Sequence, residues 1–122
     1  MYATKAVITG PQQWNLRVLL LREGEWWVAQ CLDFDIAAQA ANLTEVKAAF
    51  FRAFVGQIVV DLERGDQPLT CVKPAPSWYA EQWEQAEPLA NRLSLTPPPD
   101  ALPKDAPPAW MIHANAEMRL TA

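Results

Sequence analysis

The sequence predicts an α+β fold: a small, antiparallel-dominated sheet of βββαβ order, one long helix packed on it, and a Pro-rich C-terminal extension. The prediction rests on a hairpin pattern, a long capped helical pattern and an uneven distribution of proline. Ten of the eleven prolines lie between Pro68 and Pro108. Because proline interrupts both helices and sheet ladders, the front half is the predicted folding unit.

Length and charge limit the classes of function. With 122 residues, 51% of them hydrophobic, the chain is predicted to form a single domain, 1–122. Within it we expect a core at 14–67, an arm at 68–109 and a terminal strand at 110–120. The formal net charge of −4 opposes broad binding to nucleic-acid phosphates, which requires clustered Lys and Arg. A large partner is therefore expected to be basic.

The hairpin pattern consists of two apolar runs, 16–22 and 25–31, separated by Glu23-Gly24. A two-residue spacer containing Gly is typical of a tight turn. The register that follows pairs Arg22 with Glu25, Leu20 with Trp27 and Leu21 with Trp26. Since consecutive strand residues point to opposite faces, one tryptophan of Trp26-Trp27 faces the helix. The other is expected either in an interface or beneath residues 78–95.

A third strand is predicted at 35–40, followed by the long helix. Asn42 and Glu45 match a capping box in its Asn form, so the helix should begin at Leu43. It should end at about Arg64, since Gly65 is a typical C-terminal stop. The stripe predicted to face the sheet is Leu43, Phe50, Phe54, Ile58 and Leu62, with Phe51 at its edge.

A second stripe of small residues on this helix, Ala49, Ala53, Gly56 and Val60, predicts close approach by the C-terminal segment or by a second subunit. A strand at 110–120 is expected to return to its own sheet or to be exchanged with a neighbour. Its predicted faces place Trp110, Ile112 and Ala114 on one side and Met111 and His113 on the other. The predicted homo-oligomer interface is Trp110, Ile112, Ala49, Ala53 and Gly56.

The remaining segments are predicted from their boundary residues. Ser77 is the predicted N-cap of a short helix from Trp78 to about Glu87. The six prolines within 97–108 predict an extended connector rather than a packed element. Residues 1–10 are a candidate edge strand.

No catalytic set is recognisable. The single His, His113, has no partner at ligand spacing, and the four glycines are scattered singly. We therefore expect no catalytic residue, metal or cofactor. Asp33 and Asp35 are close enough in sequence to hold a cation, but bonding within a strand-connecting turn is the preferred interpretation. Asp61 is interpreted as a solvated helix charge.

The two cysteines and the apolar runs bear on location. Cys31 is predicted to be a small buried side chain, and it and Cys71 are both expected to be reduced. No apolar run approaches the roughly 20 residues that span a bilayer, and no secretory signal is recognisable. These features predict a cytoplasmic protein.

The stretch WVAQCLDFDIAAQAANLTEV, from Trp27 to Val46, resembles the HicB-like antitoxin domain. The resemblance extends to the preceding LLLREGEW hairpin and the following KPAPSWY segment, and covers residues 16–80. It implies a partial RNase H fold that lacks the nuclease carboxylates. It also implies a partner, because domains of that family bind and block a small basic HicA-type ribonuclease. Many members carry a DNA-binding segment as well, and we expect none here.

The leading hypothesis is thus a non-catalytic HicB-like module, homo-oligomeric, that neutralises a basic HicA-like ribonuclease by occlusion. Glu23, Glu25, Asp33 and Asp35 are the predicted contact residues, since turns are exposed. One alternative is a stand-alone interaction or regulatory domain with another protein partner. A less favoured alternative is a metal-dependent nuclease built on Asp33, Asp35 and Asp61.

Overall fold

The computed structural model describes residues 11–121, so the edge strand predicted at 1–10 lies outside the described residues. The fold is α+β, as predicted. A mixed sheet of mostly antiparallel strands has the order β3-β2-β1-β6-β4, and β5 also pairs with β6. The strands are β1 (Gln12–Glu23), β2 (Trp26–Cys31), β3 (Ala37–Ala40), β4 (Glu87–Pro88), β5 (Leu93–Leu95) and β6 (Ile112–Leu120), and the helices are α1 (Leu43–Glu63) and α2 (Trp78–Gln85).

The hairpin of β1 and β2 forms, but the predicted register is wrong by two residues. Glu23 pairs with Trp26, Arg22 with Trp27 and Leu20 with Ala29. The turn is therefore Gly24-Glu25, and Gly24 has a φ of 60°. This turn places the one positive φ on glycine, as a type II′ turn requires. Because the shift is an even number of residues, each side chain stays on its predicted face.

The third strand is shorter than predicted and begins at Ala37. The N–H of Asp35 donates to the carbonyl of Lys73 at 2.6 Å, so the backbone there bonds to the loop before α2. Helix α1 begins at Leu43, as predicted. The Asn42 side chain accepts a hydrogen bond from the N–H of Glu45 at 2.9 Å. The helix ends at Glu63, and Gly65 follows with a φ of 80°.

The sheet has two differently covered faces. On the face toward α1, Leu16, Val18 and Leu20 of β1 pack with Phe50 and Phe54 in the main core. The other face, called here the outer face, carries Leu19, which packs with Trp83 and Ala86 at α2. Apolar groups are thus buried on both faces, but the short α2 covers only part of the outer one.

The back half differs from prediction in two places. Ser77 makes no side-chain cap bond, and its own backbone is already helical. The connector at 97–108 is not wholly extended, because Pro99–Ala101 forms a 3-10 turn and Leu102 and Ala106 pack against the core. Proline fixes φ near the value of such turns, so a Pro-rich connector can pack as well as extend.

Strand β6 lies parallel to β1, with Gln12 beside Ile112 and Leu20 beside Leu120. Its side chains alternate between buried and half-buried, with Ile112, Ala114, Ala116 and Met118 in the main core. Trp110 precedes the strand, in a 3-10 turn at Ala109–Met111, and is 69% exposed. The prediction that Trp110 shares a side with Ile112 and Ala114 is therefore wrong.

None of the helices within residues 11–121 combines the length and the apolar character needed to cross a membrane.

Candidate functional site

The hairpin turn places an acidic side chain beside an exposed aromatic one. Glu23 and Trp26 are directly paired, so both point to the outer face. Trp26 is 50% exposed, and Glu23 and Glu25 are both exposed. Neither glutamate contacts a cationic side chain within the described part of the chain. The nearby Arg22 instead donates from Nε to the carbonyl of Gly24 at 3.2 Å. The turn therefore presents two carboxylates without an ion-pair partner next to an indole.

Helix α2 brings a second aromatic pair to the same face. Trp78 and Tyr79 stack with their ring centroids 4.0 Å apart and their planes at 25°. Trp78 is 56% exposed, whereas Tyr79 is half-buried and packs against the cluster of Leu19, Leu32, Trp83 and Ala86. Tyr79, Trp83 and Ala86 are spaced i, i+4 and i+7, which puts them on the side of α2 that packs on the sheet.

A shallow depression of about 310 Å³ lies between Tyr79 and the outer face of β2 and β3. No Lys or Arg is among its lining residues, which are Glu23, Val28, Ala37, Ala38, Gln39 and Tyr79. Partial burial raises the pKa of the Tyr79 phenol, and the negative charges of Glu23 and Asp35 raise it further. Both carboxylates therefore act on the same phenol, and the depression is acidic and aromatic.

The structure brings together two of the four predicted contact residues around Tyr79, namely Glu23 and Asp35. Asp35 is exposed, and its carboxylate accepts a hydrogen bond from Nε2 of the buried Gln30 at 2.9 Å. Glu25 lies in the adjacent turn. We call Glu23, Glu25, Trp26, Asp35, Trp78 and Tyr79 the acidic aromatic surface.

Asp33 differs from Glu23, Glu25 and Asp35 because its carboxylate is paired with Arg17. One carboxylate oxygen accepts from Arg17 Nη2 at 2.9 Å and Nε at 3.1 Å. The other accepts from the backbone N–H of Arg17 at 2.7 Å. The Arg17 guanidinium already compensates this charge. Asp33 therefore ties the end of β2 to β1 and contributes little negative potential to the surface.

The prediction for Asp61 is wrong, because the residue is buried. It is 1% exposed and not a solvated helix charge. Its carboxylate accepts from Gln57 Nε2 at 2.9 Å and from the backbone N–H of Leu69 at 2.7 Å. Asp33, Asp35 and Asp61 thus have separate partners, and residues 11–121 contain no group of three or more His, Cys, Asp or Glu able to hold a metal ion.

His113 and Cys31, the other two side chains considered for catalysis, lie in packed or hydrogen-bonded positions within the fold. The Nδ1 atom of His113 lies 2.7 Å from the hydroxyl of Thr96, between β6 and the residue after β5. Cys31 is fully buried, as predicted, and burial raises the pKa of its thiol to about 11. A thiol with that pKa is almost wholly protonated at neutral pH and is a poor nucleophile.

The residues predicted for a homo-oligomer interface are dispersed. Ala49 and Ala53 are half-buried, and Gly56 is exposed on α1 with no atom within 4 Å of an added Cβ. Trp110 is exposed on its 3-10 turn, whereas Ile112 has no exposed surface. A second copy contacting Ile112 would require β6 to leave its own sheet. The interface itself stays a prediction.

Tyr79 and Trp78 were missed as surface residues by sequence reasoning, which treated their segment only as a cover for the sheet. The spacing of Tyr79, Trp83 and Ala86 was the available signal, because it separates the side of α2 that packs from the side carrying Trp78. Which strands lie beneath α2 cannot be read from that spacing.

Comparison of the chain with protein-family models, with curated proteins and with solved structures finds no match. The fold and the surface together define an α+β chain with a long helix on one sheet face and an acidic aromatic surface on the other.

Proposed function

We propose that this chain is a non-catalytic, HicB-like protein-binding module that neutralises a basic HicA-like ribonuclease by occlusion. The partner is a protein, and the proposed action requires no cofactor. The observation that carries the proposal is the acidic aromatic surface, where Glu23 and Asp35 flank Tyr79 without a cationic side chain in the depression between them.

The chemistry of this surface suits a basic protein. Opposite potentials accelerate encounter and disfavour acidic competitors. Exposed Trp and Tyr side chains contribute most binding energy per residue at protein interfaces, and their ring faces attract Arg and Lys. Trp26 and Trp78 are the exposed rings available here.

The structure changes the set of proposed contact residues. Glu23, Glu25 and Asp35 are retained because their negative charges face solvent without a cation. Asp33 is assigned a positioning role, since its charge is paired with Arg17. Trp26, Trp78 and Tyr79 are added.

The resemblance to HicB-like domains supports the same proposal at the level of fold. Its motif from Trp27 to Val46 spans β2, β3 and the capped start of α1. Fold alone does not imply function, so the resemblance adds to the argument from the surface and does not replace it. A cytoplasmic location is part of the proposal, and the two unpaired thiols, Cys31 and Cys71, support it because such compartments keep thiols reduced.

The test is co-expression with a small basic ribonuclease of the HicA type. We expect the wild-type chain to relieve toxicity and to co-purify with the ribonuclease. The triple variant Glu23→Gln, Glu25→Gln, Asp35→Asn should lose both properties. The matched control carries Glu63→Gln, Glu84→Gln and Asp100→Asn, which change the net charge equally at exposed positions outside the surface.

The control variant should behave like the wild type, and added salt should weaken the complex. Equal loss in the two triple variants would mean that net charge alone matters, and the surface assignment would be wrong. Failure of the wild-type chain to bind or neutralise the ribonuclease would overturn the antitoxin assignment. Recovery of an unrelated protein from the host would favour the alternative of an interaction domain with another partner.

A further inference from the structure

The two edges of the sheet, at β6 and at β3, differ in how far their backbone groups are paired. The edge at β6 is covered between Ala114 and Leu120 by β5, by β4 and by the N–H of Leu89, which donates to the carbonyl of Met118 at 2.9 Å. At the other edge, the backbone of Ala37–Ala40 bonds only to β2 within residues 11–121. Among the residues that the structure describes, one edge of the sheet is thus closed and the other is open.

The pairing of β2 with β3 shows which groups are open. The N–H of Cys31 donates to the carbonyl of its opposite residue, Ile36, at 2.9 Å. Antiparallel pairs alternate between hydrogen-bonded and non-bonded, so Ala38 and Ala40 bond to β2 while Ala37 and Gln39 point their N–H and C=O groups away from it. The open edge therefore offers two donors and two acceptors spaced for an added strand.

Little on this edge opposes an added strand. Natural sheets protect an edge by keeping the edge strand very short, or with charged side chains, proline, a bulge or a covering segment. Of these devices β3 shows the short length, four residues. The strand Ala37-Ala38-Gln39-Ala40 has no charge and no proline, and three of its four side chains are methyl groups. Ala37 and Gln39 are exposed and also line the depression beside Tyr79. An added strand would therefore lie next to the acidic aromatic surface.

The negative charges near the two ends of β3 favour a basic strand as the one added to this edge. Asp35 precedes β3, and the hairpin turn with Glu25 lies near its other end, beside Ala40. If two copies of this chain paired antiparallel through β3, Glu25 of one copy would approach Asp35 of the other. Like charges across a strand pair are destabilising, whereas a strand carrying Arg or Lys would meet opposite charge at both ends.

We propose that the open edge of β3 binds an extended, basic segment of a partner protein as an added strand. Ala37 and Gln39 supply the backbone bonds, and an Arg or Lys of the added strand lies against Glu23 and Tyr79. Such strand addition derives affinity from the main chain and specificity from alternate side chains. The basic character of the partner rests on the proposed function, but the open edge does not.

The test uses the full chain and a synthetic peptide of alternating valine and arginine, with a valine and glutamate peptide as the charge-reversed probe. The informative variant is Gln39→Pro, which removes an N–H that points away from β2 and so leaves the ladder intact. Its matched control is Gln39→Ala, which loses the same side chain but keeps the N–H. A thermal melt of each variant checks that the fold is retained.

We expect the basic peptide to bind the wild type and Gln39→Ala alike, and Gln39→Pro about tenfold more weakly, as loss of a backbone hydrogen bond predicts. In the wild type, binding should slow hydrogen exchange at the amides of Ala37 and Gln39. That second measurement decides the proposal even if the proline variant unfolds. The acidic peptide should not bind.

Equal affinity for Gln39→Pro, unchanged exchange at Ala37 and Gln39, or no binding of the basic peptide up to about 1 mM would overturn the proposal. So would self-association of the chain that Gln39→Pro abolishes, because the edge would then belong to a second copy. Neutralisation of a HicA-like ribonuclease by Gln39→Pro at wild-type strength would refute the added strand and leave the proposed function standing. If the wild-type chain bound the basic peptide at this edge but did not neutralise the ribonuclease, the added strand would stand and the proposed function would be refuted.

Discussion

At the scale of single residues, Asp61 shows how a polar side chain can be needed inside the core. The chain leaves α1 through a turn, and Leu69 then packs into the main core with a φ of 68°. A leucine in the left-handed region is strained, and its buried N–H needs an acceptor. Asp61 supplies that acceptor from the last turn of α1. The carboxylate therefore fixes how the chain leaves the helix.

Replacing Asp61 tests this role. Asp61→Ala should lower the free energy of unfolding by about 1–3 kcal/mol, because the N–H of Leu69 stays buried without a partner. Asp61→Asn should lose less, since its amide oxygen can accept from Leu69 while the Gln57 amide turns to accept from its NH₂ group. Urea unfolding of the two variants measures the difference. Equal stability of Asp61→Ala and the wild type would contradict the assignment.

Cys31 makes the stability of the fold depend on pH in the alkaline range. Its folded-state pKa is about 11, above the ordinary value of 9.0, because burial disfavours the thiolate. The folded state therefore holds the proton more tightly, so stability present below pH 9 should fall as the pH rises from 9 toward 11. Chemical unfolding across that range measures the slope, and Cys31→Ala should reduce it, leaving the part due to Tyr79, whose pKa is also raised. A variant with the wild-type slope would exclude Cys31 as the cause.

At the scale of elements, local signals succeeded where one residue type decided the conformation. Asn42 and Gly65 mark the two ends of α1. An acceptor side chain and a left-handed glycine satisfy the free backbone N–H and C=O groups of helix ends without distant partners. The hairpin register failed because Gly24 fits either position of a two-residue turn in the sequence. The parallel pairing of β6 with β1 and the place of α2 on the outer face were not predictable, since they depend on contacts between distant segments. The acidic turn residues were predicted, but their meeting at Tyr79 was not.

Gly56 in the middle of α1 gives a prediction for that element. An added Cβ would meet no atom within 4 Å, and glycine lowers helix stability by about 1 kcal/mol relative to alanine. Gly56→Ala should therefore raise the free energy of unfolding by about that amount in a dilute solution of the chain. If a second copy packed on the stripe of Ala49, Ala53 and Gly56, the added methyl group would instead weaken assembly. Equilibrium sedimentation of the variant distinguishes the two results.

At the scale of the whole molecule, the ends of the described chain are joined by the pairing of β1 with β6. That pair lies in the middle of the sheet, with β2 and β3 on one side and β4 and β5 on the other. The closing of one sheet edge thus depends on β6, whereas the open edge at β3 depends on the hairpin and α1. The strands of the proposed binding surface, β1 to β3, are consecutive in sequence, and α2 adds Trp78 and Tyr79. Strand β6 pairs with the side of β1 opposite to β2.

Separating β6 from the rest of the chain tests this division. A fragment of residues 1–109 should lack cooperative unfolding, because it loses the buried side chains of Ile112, Ala114, Ala116 and Met118 and leaves β1 without a partner on one side. A peptide of residues 110–122 should restore the fold when added, and a peptide carrying Ala114→Asp should not, because it would bury an unpaired charge. Circular dichroism melts follow the restoration. A fragment that unfolds cooperatively without the peptide would show that β6 is not required for the core.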